Sequence, residues 1–413
     1  MTLIDPIQSG KTRVVFVDDE KRILDGLRRQ LHSYRKQWEM TFALSGKEAL
    51  AILEQQPADI VVSDMRMPEM NGCQLLTEVH RLYPQTIRII LSGQTEQTDL
   101  LRDLSSIHQY LQKPCPPDTL SRAINRATSL RDQLQQPQLR SAANNITVLP
   151  PCSDTYRRLK SEIVKPQPSL DLIADLLEED PALASKVLQL VNSAFFGIPR
   201  VVNDVRQAAR LLGVPTLQSL IVGGRIFDVV AGNLAHVAWI NELWRASAAI
   251  AQLAGNLAER NGADAETIQQ SHLAGMLSMV GRVILLISEP AAYDAAWKAN
   301  QPGDVCSAIA QFERATFGAN QGEVGAFMLG SWAFADDLVE AVAFQVDPRR
   351  STCRRTNHCL PYLHVARALR GHYGIASSIE AAPALDQSLI EELNWQDLLD
   401  DAKSEMNPLR SAA

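Results

Sequence analysis

Asp18-Asp19 sit directly after a short apolar run, Ser92 comes at the end of another, and Asp64 and Lys113-Pro114 each follow one at a single residue's remove. The runs are Val14 to Val17, Ile60 to Val62, Ile87 to Leu91 and the shorter Tyr110-Leu111. Continuous β-branched runs of this length suit strands buried on both faces of a parallel sheet. In such a sheet these positions all fall at the carboxyl edge, where ligands bind. Three carboxylates converging there repel one another unless a cation joins them, and Mg²⁺ prefers oxygen ligands. A lysine beside them neutralises an incoming phosphoryl group, and a hydroxyl hydrogen-bonds its oxygen. The chemistry suggested is phosphoryl transfer to a carboxylate, giving an aspartyl phosphate. Acidic residues at a strand end are often helix caps and nothing more. Several sites in the right order, each after its own strand, argue against that simpler reading.

The elements that position these residues follow from periodicity. Ile23, Leu27 and Leu31 recur every four residues, with Leu24 and Tyr34 alongside; Ala49, Leu50 and Leu53 repeat the pattern. Those are amphipathic helices. Strand and helix alternate from residue 12 to about 130, which predicts a doubly wound α/β sheet. Residues 131–148 are rich in Gln, Asn and Ser and read as a linker. After Leu149-Pro150-Pro151 strand-like runs nearly vanish and an all-α region begins. Leu170, Ile173, Ala174 and Leu177 form one stripe; Val187, Leu188 and Val191 form another. Asp180-Pro181 reads as a helix start, with Asp as cap and Pro at the first helical position.

VVFVDDE, IVVSDMRMPEMNG, IILSG and YLQKP resemble the receiver domain of bacterial two-component response regulators. The resemblance covers residues 12–130 and implies a five-stranded parallel sheet. By it, Asp64 accepts a phosphoryl group from a sensor histidine kinase. Asp19, Asp64 and the Arg66 backbone carbonyl would ligate Mg²⁺, with Asp18 acting through water. Lys113 would pair with the phosphoryl group across a cis Lys113-Pro114 peptide. Ser92 and Tyr110 would form the switch pair that reports phosphorylation to the outer face. That face, near Asp99 to Lys113, is where family members commonly dimerise, so a phosphorylation-dependent homodimer is expected. Gly93 stands where the family more often has Ala.

The second region resembles the HDOD module, a relative of the HD-type phosphohydrolases. LPPCSDTYRRLKSEI, DPALASKVLQLVNSAFFG and VRQAARLLGVPTLQSLIVG carry the resemblance, and LWRAS, AGMLSMVG, GEVGAFML and EAVAFQVDP extend it to about residue 350. The domain plan is then an extension (1–11), a receiver (12–130), a linker (131–148), an HDOD domain (149–350) and a helical extension (351–413). A dinuclear hydrolase needs His and Asp ligands to activate water. By the resemblance those positions hold Ala246, Ser278-Met279, Gln321 and Gln345-Val346. None replaces imidazole or carboxylate, so no catalytic metal is expected in this domain. His236, His272, His358, His364 and His372 lie off the motif and read as surface or packing residues. Cys353, His358 and Cys359 form the only local cysteine cluster, at a spacing poor for zinc.

The expected function is that of a non-enzymatic signalling adaptor. Its downstream partner would be a signalling protein, with cyclic-dinucleotide enzymes among the candidates. The alternatives are a receiver-controlled phosphohydrolase or cyclic-dinucleotide phosphodiesterase, and a DNA-binding regulator. The last has one apparent feature: ARLLGV followed by a second helix looks like a helix-turn-helix. Its recognition helix, Thr216 to Val222, has no Lys, Arg or Asn with which to read base edges. Phe195-Phe196-Gly197 reads as core aromatics at a helix end before it reads as a docking patch.

Composition agrees with a globular chain. The 413 residues are 46% hydrophobic and 21% charged, with a net charge of −7, which excludes global disorder and a bulk cationic nucleic-acid binder. No secretory signal and no membrane-spanning helix is expected; the apolar run Ala246 to Ala258 reads as a core helix. Six scattered cysteines without C-x-x-C suit reduced thiols in a cytoplasm.

Overall fold

The computed structural model describes residues 11–93, 106–133, 149–192, 201–218, 220–221, 234–291, 312–351, 355–369 and 383–404. The first region holds β1 (Thr12–Val17), α1 (Lys21–Gln30), β2 (Trp38–Ala43), α2 (Gly46–Gln55), β3 (Ile60–Asp64), α3 (Gly72–Leu82), β4 (Ile87–Ser92), β5 (Gln109–Gln112) and α4 (Pro117–Gln133). The five strands pair in parallel in the order β2-β1-β3-β4-β5. The order reverses at β1, so a crevice opens beyond the carboxyl ends of β1 and β3.

Burial explains why these runs became strands. Every residue of β3 and β4 is buried. On one face Val14, Phe16, Val62 and Ile89 pack with Leu24 of α1 and Leu120 and Ile124 of α4. On the other, Val15, Val61 and Ile90 pack with Leu53 of α2 and Leu76 and Val79 of α3. Side-chain caps set the helix starts: Ser45 accepts from the Glu48 amide, and Asn71 forms a capping box with Gln74.

The second region holds α5 (Ser153–Ile163), α6 (Leu170–Glu179), α7 (Pro181–Val191), α8 (Val205–Gln218), α9 (Leu234–Arg260), α10 (Ala265–Leu277), α11 (Val280–Ser288), α12 (Gln321–Ser331), α13 (Asp336–Phe344), α14 (Cys359–Leu369), α15 (Gln387–Leu393) and α16 (Gln396–Ser404). Asp180 caps α7 as expected, accepting from the Ala182 and Leu183 amides (2.8 and 3.1 Å). The Ala246 to Ala258 run lies inside α9, with Ala246, Ile250, Ala254 and Leu257 buried. One described stretch, Ala265–Ser288, is long and apolar enough to cross a membrane, yet 83% of its most apolar window is buried inside the fold. It makes the bundle core.

The helix-turn-helix likeness resolves into packing. Gly213 breaks α8 with φ 70°, and Leu217, Leu220 and Ile221 beyond it are buried. Gln218 donates to the Ile163 carbonyl (2.7 Å). The Phe195 to Gly197 segment, Asp99, Cys353 and His372 lie outside the described residues, as does the His236 side chain.

Candidate functional site

The parallel register aligns Val17 of β1 with Ser63 of β3, so the residues that follow, Asp18 and Asp64, emerge side by side. Asp18, Asp19 and Asp64 each offer a carboxylate oxygen within 4.8 Å of the others. Asp18 and Asp64 are buried and Asp19 is exposed. Lys113 reaches in from the end of β5. Its Nζ donates to Asp18 Oδ2 at 2.7 Å and also ion-pairs with Asp64. The Glu20 amide donates to Asp18 Oδ1 (2.9 Å), and the Arg66 amide to Asp64 Oδ2 (3.2 Å). Burial pushes the Asp64 carboxyl above its ordinary range, against the pull of Lys113. Burial also lowers the Lys113 ammonium, but the hydrogen bonds and charges of Asp18 and Asp64 outweigh it, and the net shift is upward. Three carboxylates against one ammonium make an all-oxygen, net-negative pocket, and such a donor set fits Mg²⁺.

Ser92 ends β4, buried beside this pocket, and its carbonyl accepts from the Lys113 amide at 2.8 Å. The Lys113-Pro114 peptide is cis, as expected. Tyr110 sits three residues before Lys113 on β5, aligned with Ile90 of β4 and buried. It belongs to the apolar cluster that continues into the helical region, not to the acidic pocket. Gly72 lies within the MPEMNG stretch, and its role is visible only in three dimensions. A Cβ on Gly72 would lie 2.1 Å from the Asp64 carbonyl oxygen. Only a bare Cα lets α3 start so close beneath Asp64, with the Gly72 amide donating to Met65 (2.9 Å).

In the helical region, three of the positions expected to have lost metal ligands converge. Gln345 donates to the Ser278 carbonyl at 3.0 Å and to the Val342 carbonyl at 2.9 Å. With its amide oriented to satisfy both ends, Gln321 donates to the Ser278 carbonyl (3.1 Å) and accepts from Arg367 (2.9 Å). Arg367, fully buried on α14, also donates to the Gln345 carboxamide. The close crossing of α11 and α12 places Gln321: a Cβ on Gly281 would meet its carbonyl at 1.8 Å. His364 stands one turn before Arg367. Its Nε2 accepts from the Asp386 amide (2.9 Å), which leaves the proton on Nδ1 to bond the Gln345 carbonyl (3.0 Å). Burial lowers its pKa, so the ring is neutral and both nitrogens are used. Ala246 and Met279 are buried apolar residues. A guanidinium held by carboxamides thus fills this part of the core. Arg367 lies beyond the motifs, on an apolar helix with no local pattern to mark it.

The family model for the response regulator receiver domain matches residues 14–125, and that for the HDOD domain matches 149–348. The chain is a receiver–HDOD response regulator. Among curated relatives, the hydrogenase transcriptional regulatory protein HoxA of Cupriavidus necator is 36% identical over 116 residues, covering 28% of this chain and 23% of HoxA. The response regulator SaeR of Staphylococcus aureus is 30% identical over 140 residues, covering 33% of this chain and 60% of SaeR. This response regulator therefore spans less than two thirds of either relative. Among solved structures, the MmoQ response regulator of Methylococcus capsulatus aligns over 62% of this chain and 98% of its own, at 19% identity and a TM-score of 0.45.

Proposed function

We propose that this response regulator takes a phosphoryl group onto Asp64 from a sensor histidine kinase and signals through an HDOD domain that does no metal-dependent hydrolysis. The observation that carries the first half is Lys113 bridging Asp18 and Asp64 at the crevice of the sheet. An Asp64 carboxylate oxygen attacks phosphorus; the new P–O bond forms as the P–N bond to the kinase imidazole breaks, and that nitrogen leaves with the electron pair and takes a proton from solvent. Lys113 holds the Asp64 oxygen in place and then faces the transferred group. Asp18, Asp19, Asp64 and the Arg66 carbonyl would hold Mg²⁺, which when bound neutralises phosphoryl oxygens. Ser92 stands ready to hydrogen-bond one of those oxygens.

Arg367 supports the second half. Its permanent charge lies where a hydrolase of this kind needs divalent cations, and its neighbours Gln321, Gln345 and Ser278 bring no imidazole or carboxylate. Output then consists of binding or releasing another signalling protein, with cyclic-dinucleotide enzymes among the candidates the family suggests. Calorimetric titration with beryllofluoride and Mg²⁺ tests the reading. Binding by the wild type and none by Asp64→Asn is expected. Equal binding by both, or phosphodiester turnover with added Mn²⁺ that Arg367→Ala changes, would overturn it.

A further inference from the structure

Helices α6, α8, α9 and α10 of the HDOD domain enclose a cavity of about 270 Å³, a volume at the small end of ligand sites. It shares no residue with the Arg367 cluster. Its floor is apolar: Val205, Leu273 and Met276 are buried there. One wall is a face of α9, where Gln252, Gly255, Asn256 and Glu259 recur at helical spacing. Gly255 leaves the space open. A Cβ there would stand 3.5 Å from the His272 Cβ, an ordinary contact, so the cavity and not a clash occupies the room above it.

The rest of the lining is acidic. Glu178, Asp204 and Glu259 belong to it, and no Lys or Arg among the described residues does. Arg206 offsets this in part, pairing with Glu178 at 2.8 Å, but it is shared with Asp175. Asp204 caps α8 through the Gln207 amide (2.6 Å) with one of its oxygens. Glu259 is exposed and has no ion pair among the described residues. His272 is half-buried, lines the cavity and makes no hydrogen bond among the described residues. Burial lowers its pKa against the pull of Glu178 and Asp204, so at neutral pH the ring is uncharged and does not repel a cation.

Two ligand classes fail here. A phosphate or carboxylate meets carboxylates and no cationic side chain, so an anion is repelled. A single metal ion needs ligand atoms that converge, and among the described residues the group that does so is Asp18, Asp19 and Asp64. The carboxylates of the cavity stand farther apart, which suits a cation with a body. The geometry points to a binding site for a small aliphatic cation, an ammonium or guanidinium on a short alkyl chain. Its charge lies among Glu178, Asp204 and Glu259, and its chain lies on Val205, Leu273 and Met276. His272 offers a ring nitrogen to a donor of the same ligand.

Calorimetric titration of the full-length chain with agmatine and with putrescine tests this, at saturating Mg²⁺ so that the receiver pocket is occupied. Wild type should bind a cation of this pair and ignore succinate, a chain of similar length and opposite charge. Asp204→Asn/Glu259→Gln keeps a good helix cap and removes two charges; it should bind about tenfold more weakly or worse. Gly255→Met changes no charge and fills the cavity; it should not bind. Far-UV circular dichroism should match wild type in both. Bound cation should slow hydrogen exchange at 252–259 and 268–276. No binding of either cation by wild type, or wild-type affinity in both variants, overturns the proposal. So does succinate binding as tightly as the cations, or cation binding that is lost in Asp64→Asn and kept in the two variants, which would place the ligand in the receiver.

Discussion

Two glycines of the receiver should answer the same substitution with opposite signs. Gly26 lies inside α1 and a Cβ there meets nothing within 4 Å. Gly26→Ala relieves the backbone-entropy cost of glycine in a helix and should stabilise by about 0.5–1 kcal/mol. Gly72 has a backbone conformation open to alanine, but its Cβ would sit 2.1 Å from the Asp64 carbonyl oxygen, where 3.0 Å is the floor for real contacts. The backbone must open by the difference, 3.0 − 2.1 = 0.9 Å, at Asp64, the proposed phosphoacceptor. Overpacking of this kind costs about 1–3 kcal/mol. A displacement near 1 Å of a reacting group costs about 100-fold in rate. Urea denaturation measures the first quantity, and the rate of mass gain from acetyl phosphate measures the second. Gly26→Ala should gain stability and keep the wild-type rate; Gly72→Ala should lose both. A Gly72→Ala protein as stable as wild type and phosphorylated as fast would refute the close-approach argument.

Three further outcomes are expected. Trp244 donates its buried indole N–H to the Pro150 carbonyl at 2.8 Å, anchoring α9 to the start of the helical domain; Trp244→Phe should cost about 1–3 kcal/mol, read from urea denaturation, and no loss would deny the anchor. Burial, then the Arg88 charge, lowers His80 from 6.5 to about 4. The unfolded chain therefore takes up this proton as pH falls through 6.5 and the folded chain only near 4, so stability declines between those values. With solvent screening of the partly exposed ring, the loss is on the order of 1–2 kcal/mol, and His80→Gln should flatten it in a pH series of denaturation curves. Mg²⁺ titrated calorimetrically should bind more weakly to Asp18→Asn and Asp64→Asn than to wild type, whereas unchanged affinity would place the ion elsewhere.

The strands β1, β3 and β4 were legible because they are buried on both faces and read as short, mostly apolar runs, broken in β4 only by the buried Arg88. β2, WEMTFA, was not: it is the other edge of the sheet, half exposed, and mixes Glu and Thr with its apolar residues. The acidic pocket was legible because strand ends in a parallel sheet share one edge, so chain order alone brings Asp18, Asp64 and Lys113 together. Gly72 was visible only as a letter in a motif, since its reason is a carbonyl oxygen contributed by a different element. Ser278, Gln321 and Gln345 were legible as positions through the family resemblance. Arg367 was not, because nothing local marks a buried arginine on an apolar helix. The contact of α7 with the receiver, where the Gln189 amide donates to the His108 carbonyl, carried only a faint sign. Every residue of α7 is buried, including Lys186 and Gln189, so the helix has no solvated face although its sequence supplies polar side chains for one.

The central claim is that Asp64 is the residue this chain uses for chemistry. Intact-mass spectrometry of the full-length protein after incubation with acetyl phosphate and Mg²⁺ tests it most directly, with Asp64→Asn in parallel. The account predicts one added phosphoryl group on wild type, lost on addition of chelator before the donor, and none on Asp64→Asn. No gain on wild type, or the same gain on Asp64→Asn, would contradict it.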